Sequence, residues 1–141
     1  MNPRSFLQLM IVALLLLATA TIAAESVPPN GLRIIVYGAT GKVGTHVVDE
    51  ALQRGHLVTA VSRDPSRIKQ QHQNLSAVAG DLLDSNSIAS LVVDQDVVVI
   101  SVRGVVGKSK NPEDAIQRIA VEKVVNVLRD IGASAPRLIH V

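Results

Sequence analysis

Cysteine and tryptophan are absent from this chain of 141 residues, and its only aromatic side chains are Phe6 and Tyr37. Without cysteine there is no disulfide, no thiolate nucleophile and no cysteine-ligated zinc. With so few aromatics, the stacking platforms that hold single-stranded nucleic acid cannot be built. An excess of one charge is also lacking, because 14 Lys and Arg stand against 12 Asp and Glu. Nucleic acid is therefore not an expected partner, since bulk-charge binding needs a clustered basic face. The four histidines, His46, His56, His72 and His140, share no i, i+4 ligand spacing, so no metal site is expected.

Aliphatic residues are plentiful, and the mean hydropathy is +0.32. Part of that value comes from the start of the chain. Ser5 to Ala24 carries no charge, and Leu9 to Ala18 is an unbroken apolar run preceded by Arg4. A positive start, an apolar centre and the small-residue exit Ile22-Ala23-Ala24 describe a secretory signal peptide. Twenty uncharged residues also just span a bilayer, so an uncleaved membrane anchor is the second reading of residues 1–24. Export or membrane association through this segment is expected. Cytoplasmic residence is the alternative, should the true start lie further along. Residues 25–31 read as a linker, because Pro28, Pro29 and Asn30-Gly31 cannot continue a helix.

From residue 32 to 141, short apolar runs alternate with helical patterns. Leu32 to Tyr37, Leu57 to Ser62, Leu75 to Ala79, Val97 to Ile100 and Arg137 to Val141 read as five strands; the first lacks alternation, as expected when both faces are buried. Lys42 to Arg54 has Val43, Val47, Val48, Ala51 and Leu52 at helical spacing. A short polar helix is expected after Asp64-Pro65-Ser66, fading by Asn74. Another is capped by Asp84 or Ser85 and runs to about Val92. A longer one starts at Asn111-Pro112, runs to about Ile131 and carries the stripe Ile116, Ile119, Ala120, Val124, Val127, Leu128 and Ile131. Strands alternating with helices give right-handed crossovers and a doubly wound parallel α/β sheet, expected in the order 3-2-1-4-5. The chain stops at the fifth strand, so this domain is expected to be incomplete, a fragment or a truncated product.

The strongest chemical signal is Gly38-Ala39-Thr40-Gly41-Lys42-Val43-Gly44, placed between a buried strand and an amphipathic helix. Gly38 permits the sharp exit from the strand, Gly41 lets backbone amides approach a pyrophosphate, and Gly44 lets the helix lie close to the strand. Free amides at the helix start then supply an anion site. The spacing is G-x-x-G-x-x-G, and no Gly-Lys-Ser/Thr ends it as in a Walker loop. Lys108 and Lys110, in the loop after the fourth strand, could attract an anionic substrate, although such pairs are more often solvated.

This glycine run, together with Arg54-Gly55-His56, Val61-Ser62-Arg63-Asp64-Pro65-Ser66 and Gly80-Asp81-Leu82, resembles the atypical short-chain dehydrogenase/reductase superfamily. The likeness is to its NAD(P)H-binding, NmrA-like and flavin-reductase-like members, and it extends over residues 32 to 141. It implies a Rossmann-type fold with a nicotinamide dinucleotide at the switch point between strands 1 and 4. It further implies that Gly80, Asp81 and Leu82 flank the adenine, with Asp81 accepting from the exocyclic amine, and that Ser101 to Gly104 pass the nicotinamide half. One family feature is missing. Extended members use a Tyr-x-x-x-Lys pair, whereas the residue four places after Tyr37, the single tyrosine, is Gly41. No catalytic residue is therefore assigned.

Cofactor choice is read from the end of strand 2. A preference for NAD(H) usually comes with Asp or Glu there, to accept from the ribose 2′-hydroxyl. Here the strand ends Ser62-Arg63, with Arg67 just beyond Pro65. Ser62 can donate to a 2′-phosphate, and Arg63 can grip it through two parallel donors. NADP(H) is therefore expected over NAD(H), with hydride transfer to a small acceptor such as a quinone, flavin or carbonyl compound. A non-catalytic dinucleotide-binding sensor or regulatory module is the alternative.

Overall fold

The computed structural model describes residues 31–102 and 116–141. The N-terminal apolar segment, nearly all of the linker, Gly104, Lys108, Lys110 and the helix start at Asn111-Pro112 lie outside the described residues. Five strands form one parallel sheet: β1 (Arg33–Tyr37), β2 (Leu57–Ser62), β3 (Leu75–Ala79), β4 (Val97–Ile100) and β5 (Arg137–His140). Their order is β3-β2-β1-β4-β5, the doubly wound arrangement expected from the alternation of runs. Tyr37 stands level with Val61 on one side and Ile100 on the other, and Ile100 with His140. The carboxyl ends of the central strands therefore form one rim.

Three α-helices are present among the described residues: α1 (Lys42–Gln53), α2 (Ser85–Val92) and α3 (Ile116–Ile131). The alternation of side chains along the strands divides the core between the two faces. Val48, Ala51 and Leu52 of α1 pack on Ile34, Val36, Val58, Val97 and Val99. On the opposite face, Ile88 and Val92 of α2 join Ala120, Val124, Val127 and Leu128 of α3 over Ile35, Tyr37, Val61, Val98 and Ile100. Burying each such aliphatic side chain contributes about 1.5–3 kcal/mol. The loops at the amino ends are tied by backbone and carboxylate: the Arg33 amide donates to Asp96 Oδ2 at 2.7 Å, and the Asp96 amide to the Arg33 carbonyl at 2.9 Å.

Several details differ from the sequence expectation. The polar helix after Asp64 is a single 3-10 turn, Pro65–Arg67, and no helix follows before β3. The stretch Ile68 to Asn74 offers one apolar side chain, so a helix there would have no stripe to bury. Leu32 lies outside β1 and is exposed, and Val43 and Ile131, assigned to apolar stripes, are also exposed because each sits at a helix end beyond the sheet.

The division of the core gives a direct test. Ile35→Ala, at a fully buried position of β1, should lower stability by about 2–5 kcal/mol. Ile139→Ala, on the exposed edge strand, should change it by about 0.5 kcal/mol or less. Urea unfolding followed by circular dichroism separates the two; equal shifts would contradict this packing.

Candidate functional site

Residues 38–41 carry the chain from the rim of the sheet into α1. Gly38 has φ +79°, and a Cβ there would stand 2.2 Å from the Ser101 carbonyl oxygen. A Cβ on Gly44, buried in the first turn of α1, would stand 2.1 Å from the Gly38 carbonyl oxygen. Both glycines are thus required by contacts inside the protein. Gly41 is different. Its backbone, φ −79° and ψ 162°, suits any residue, and the nearest heavy atom to an added Cβ is the Gly38 oxygen at 3.2 Å.

Gly41 is the N-cap of α1, no side chain caps that end, and no acidic residue occupies the first turn. The amides of Lys42, Val43 and Gly44 precede the first residue that can bond within the helix, which is Thr45, donating to the Gly41 carbonyl at 2.9 Å. Uncapped amides and the positive end of the helix dipole suit an anion. Gly41, where an added Cβ would require the Gly38 carbonyl to give by a few tenths of an ångström, stands beside them, which fits the close approach of a phosphate group.

Beside this turn lies a cavity of about 230 Å³ at the carboxyl ends of β1, β2 and β3. Seven of the residues singled out in the sequence line it: Gly38, Thr40, Ser62, Arg63, Arg67, Asp81 and Leu82. They converge because three parallel strands end level with one another and each is followed by a turn. Lys42 and Val43 are exposed on α1 and do not line the cavity; only their amides face the anion site by the helix geometry. Ser101 enters through its backbone, its amide donating to the Tyr37 carbonyl at 2.9 Å and its own carbonyl lying against Gly38.

The carboxylate nearest the arginines is held by its own turn. Asp64 Oδ1 accepts from the Ser66 amide at 3.1 Å and from the Ser66 hydroxyl at 2.7 Å. The Ser66 hydroxyl in particular keeps the Asp64 carboxyl below its usual range. Ser62 Oγ accepts from the Asp64 amide at 3.2 Å, which leaves the hydroxyl proton for another acceptor. Arg63 and Arg67 are exposed and form no ion pair among the described residues. On the far wall, Asp81 Oδ1 accepts from the Leu83 amide at 2.8 Å, while the Asp81 amide donates to Ser87 Oγ.

Tyr37 and Ile116, which the sequence reading does not assign to the site, also line the cavity, as do Gly80 and Val102 from the stretches Gly80-Asp81-Leu82 and Ser101 to Gly104 that it does assign. A Cβ on Gly80 would meet Val61 Cγ1 at 2.6 Å and Leu91 Cδ1 at 2.7 Å. Ile116 could have been found as the first apolar residue of the α3 stripe, at the rim. No histidine lines the cavity. His56 Nδ1 accepts from the Leu32 amide, His72 Nδ1 from the Asn74 amide, and His140 contacts Gln117, all structural tasks at turns or edges.

Residues 38–141 match the family model described as NAD(P)H-binding. The chloroplastic divinyl chlorophyllide a 8-vinyl-reductase of Zea mays is 38% identical over 77 residues, 55% of this chain and 19% of that protein. A Burkholderia pseudomallei structure, described provisionally as an exported protein, is 32% identical with a TM-score of 0.56, covering 77% of this chain and 47% of that one. The Bordetella bronchiseptica enzyme WbmH, solved in complex with NAD+, shares the fold at 21% identity and a TM-score of 0.56, covering 71% of this chain and 36% of its own. The chain spans about a fifth of the length of the Zea mays relative and less than half of either solved structure.

Gly41 and Gly44 should separate on substitution. Gly44→Ala should cost about 1–3 kcal/mol of stability or more through overpacking against the Gly38 carbonyl. Gly41→Ala should stay within about 1 kcal/mol of the native chain and yet bind NADPH roughly 10-fold more weakly or worse, the scale of one charge-assisted hydrogen bond. Thermal unfolding paired with calorimetric titration checks both. Unchanged NADPH affinity in Gly41→Ala would remove Gly41 from the site.

Proposed function

The chain belongs to the NAD(P)H-binding family of the atypical short-chain dehydrogenase/reductase superfamily, and on that premise we propose that it binds NADP(H) in preference to NAD(H) and serves hydride transfer to a small acceptor such as a quinone, flavin or carbonyl compound. Gly38, Thr40, Gly41 and the amides of Lys42, Val43 and Gly44 hold the pyrophosphate. Gly80, Asp81 and Leu82 flank the adenine, and Ser101 lies toward the nicotinamide. When bound, the nicotinamide supplies the hydride, and the task of the chain is to bind and orient it.

The observation that carries the cofactor choice is the pair of exposed guanidinium groups, Arg63 and Arg67, which line the cavity with Ser62. Neither forms an ion pair among the described residues, and Asp64 turns one carboxylate oxygen to the Ser66 amide and hydroxyl. That arrangement favours a dianionic ligand group at the end of β2. The absence of a Tyr-x-x-x-Lys pair favours a second reading, a dinucleotide-binding sensor without turnover. Oxidation of NADPH with a panel of quinones, flavins and carbonyl compounds distinguishes them, since a sensor binds and does not turn over.

Residues 1–24 we propose to direct the chain across a membrane or to anchor it there. Support comes from their apolar run and from the likeness to the Burkholderia protein described as exported. No described helix is long and apolar enough to cross a membrane.

Two outcomes are expected. Arg63→Ala should weaken NADPH binding about 10- to 150-fold, equivalent to roughly 1.5–3 kcal/mol, and NADH binding far less. Equal losses would reduce Arg63 to a stacking role, and a native preference for NADH would overturn the cofactor choice. A reporter fused after Pro29 should fractionate with membranes or appear in an exported compartment; soluble cytoplasmic recovery with Met1 intact would refute the leader.

A further inference from the structure

The hydroxyl of Tyr37 has no use in the fold as it stands. The residue is 1% exposed, its oxygen is buried, and no hydrogen-bond partner reaches it among the described residues. The ring packs with Val61, Val98 and Ile100 on the face covered by α2 and α3. A buried donor without an acceptor is destabilising, and phenylalanine would fill the same space without that cost. The same residue lines the cavity at the end of β1.

We propose that the Tyr37 hydroxyl is a binding group for the adenosine half of the dinucleotide, donating to a ring nitrogen or ribose oxygen at the end of the cavity away from Asp81. The inference rests on the cofactor reading above and adds a contact to it. Asp81 follows β3 and Tyr37 ends β1, so the two reach the cavity from either side of β2, an acceptor on one side and a donor on the other. Val61, Leu82, Val102 and Ile116 give the space between them apolar walls, suited to the faces of a planar ring. Burial pushes the phenol far above its ordinary range, so it remains protonated and available as a donor at working pH. Adenosine supplies acceptors that the protein lacks at this point. The Tyr37 oxygen has less than 1 Å² exposed, so the entering ligand must turn wall side chains aside to reach it.

Tyr37 is the only tyrosine, so labelling tyrosine at Cζ with ¹³C gives a single nuclear magnetic resonance signal from the full chain. Titration with 2′,5′-ADP should shift that signal saturably, and nicotinamide mononucleotide, which lacks adenosine, should not. Tyr37→Phe should unfold at the same or a higher denaturant concentration and bind 2′,5′-ADP about 3- to 10-fold more weakly. Equal affinity in the variant, or a clear loss of its stability, would overturn the proposal, the latter by revealing a partner inside the free protein such as a buried water. If the native chain binds neither 2′,5′-ADP nor NADPH, the cofactor reading fails and this inference with it. Native binding that Tyr37→Phe leaves unchanged refutes only the role of the hydroxyl.

Discussion

Three backbone segments meet at Gly38. The Ser101 carbonyl presses on its α-carbon from the end of β4, and its own carbonyl receives the first turn of α1 at Gly44. The contacts leave no room for a methyl group at either glycine, so the distances between β1, β4 and α1 are set together rather than one by one. Once they are fixed, the uncapped amides of α1 face the rim of the sheet. The ends of β2 and β3 then bring their turns to the same place, because parallel strands in register end level. The binding rim follows from close backbone packing and owes little to any side-chain interaction.

Within that rim, charge is distributed by local turns. Asp64 and Asp81 both stand at the cavity, and each gives a carboxylate oxygen to an amide two residues ahead. These Asx-type contacts are short-range and belong to the turns that follow β2 and β3. Each takes up one carboxylate oxygen, whereas Arg63 and Arg67 make no ion pair among the described residues and keep their donors for a ligand.

Most of the fold was legible because it is written in aliphatic periodicity. Ile34 to Tyr37 and Val97 to Ile100 are unbroken apolar runs, and such runs in alternation with helical stripes allow few topologies. The glycine turn was legible because its spacing sits between one such strand and one such stripe. Failures came where local polarity was given more weight than packing. The stretch after Asp64 has the polar composition of an exposed helix, but no stripe by which the sheet could hold one. The apolar run predicts Tyr37 as part of the core, where it lies, but nothing in the sequence shows that its hydroxyl lacks a partner among the described residues. Ile116 reaches the cavity from the start of α3, a placement that no spacing in the sequence encodes.

The crossover from β2 to β3 contains one 3-10 turn and otherwise extended chain, so the face that carries α1 has a single helix for its five strands among the described residues. Beyond α1 the cover is thin: Ile68 and Leu75 are its partly buried contributions, and Ser76, Ala77 and Ala79 of the edge strand β3 are exposed. Few apolar contacts and an open edge place β3 at the low end of the local stability scale, where amide protons exchange through small openings rather than global unfolding. The sheet is thus densely packed at β1 and β4 and thinly covered at β3. A ligand held between Arg63 and Asp81 would span the well-packed and the thinly covered parts of the sheet.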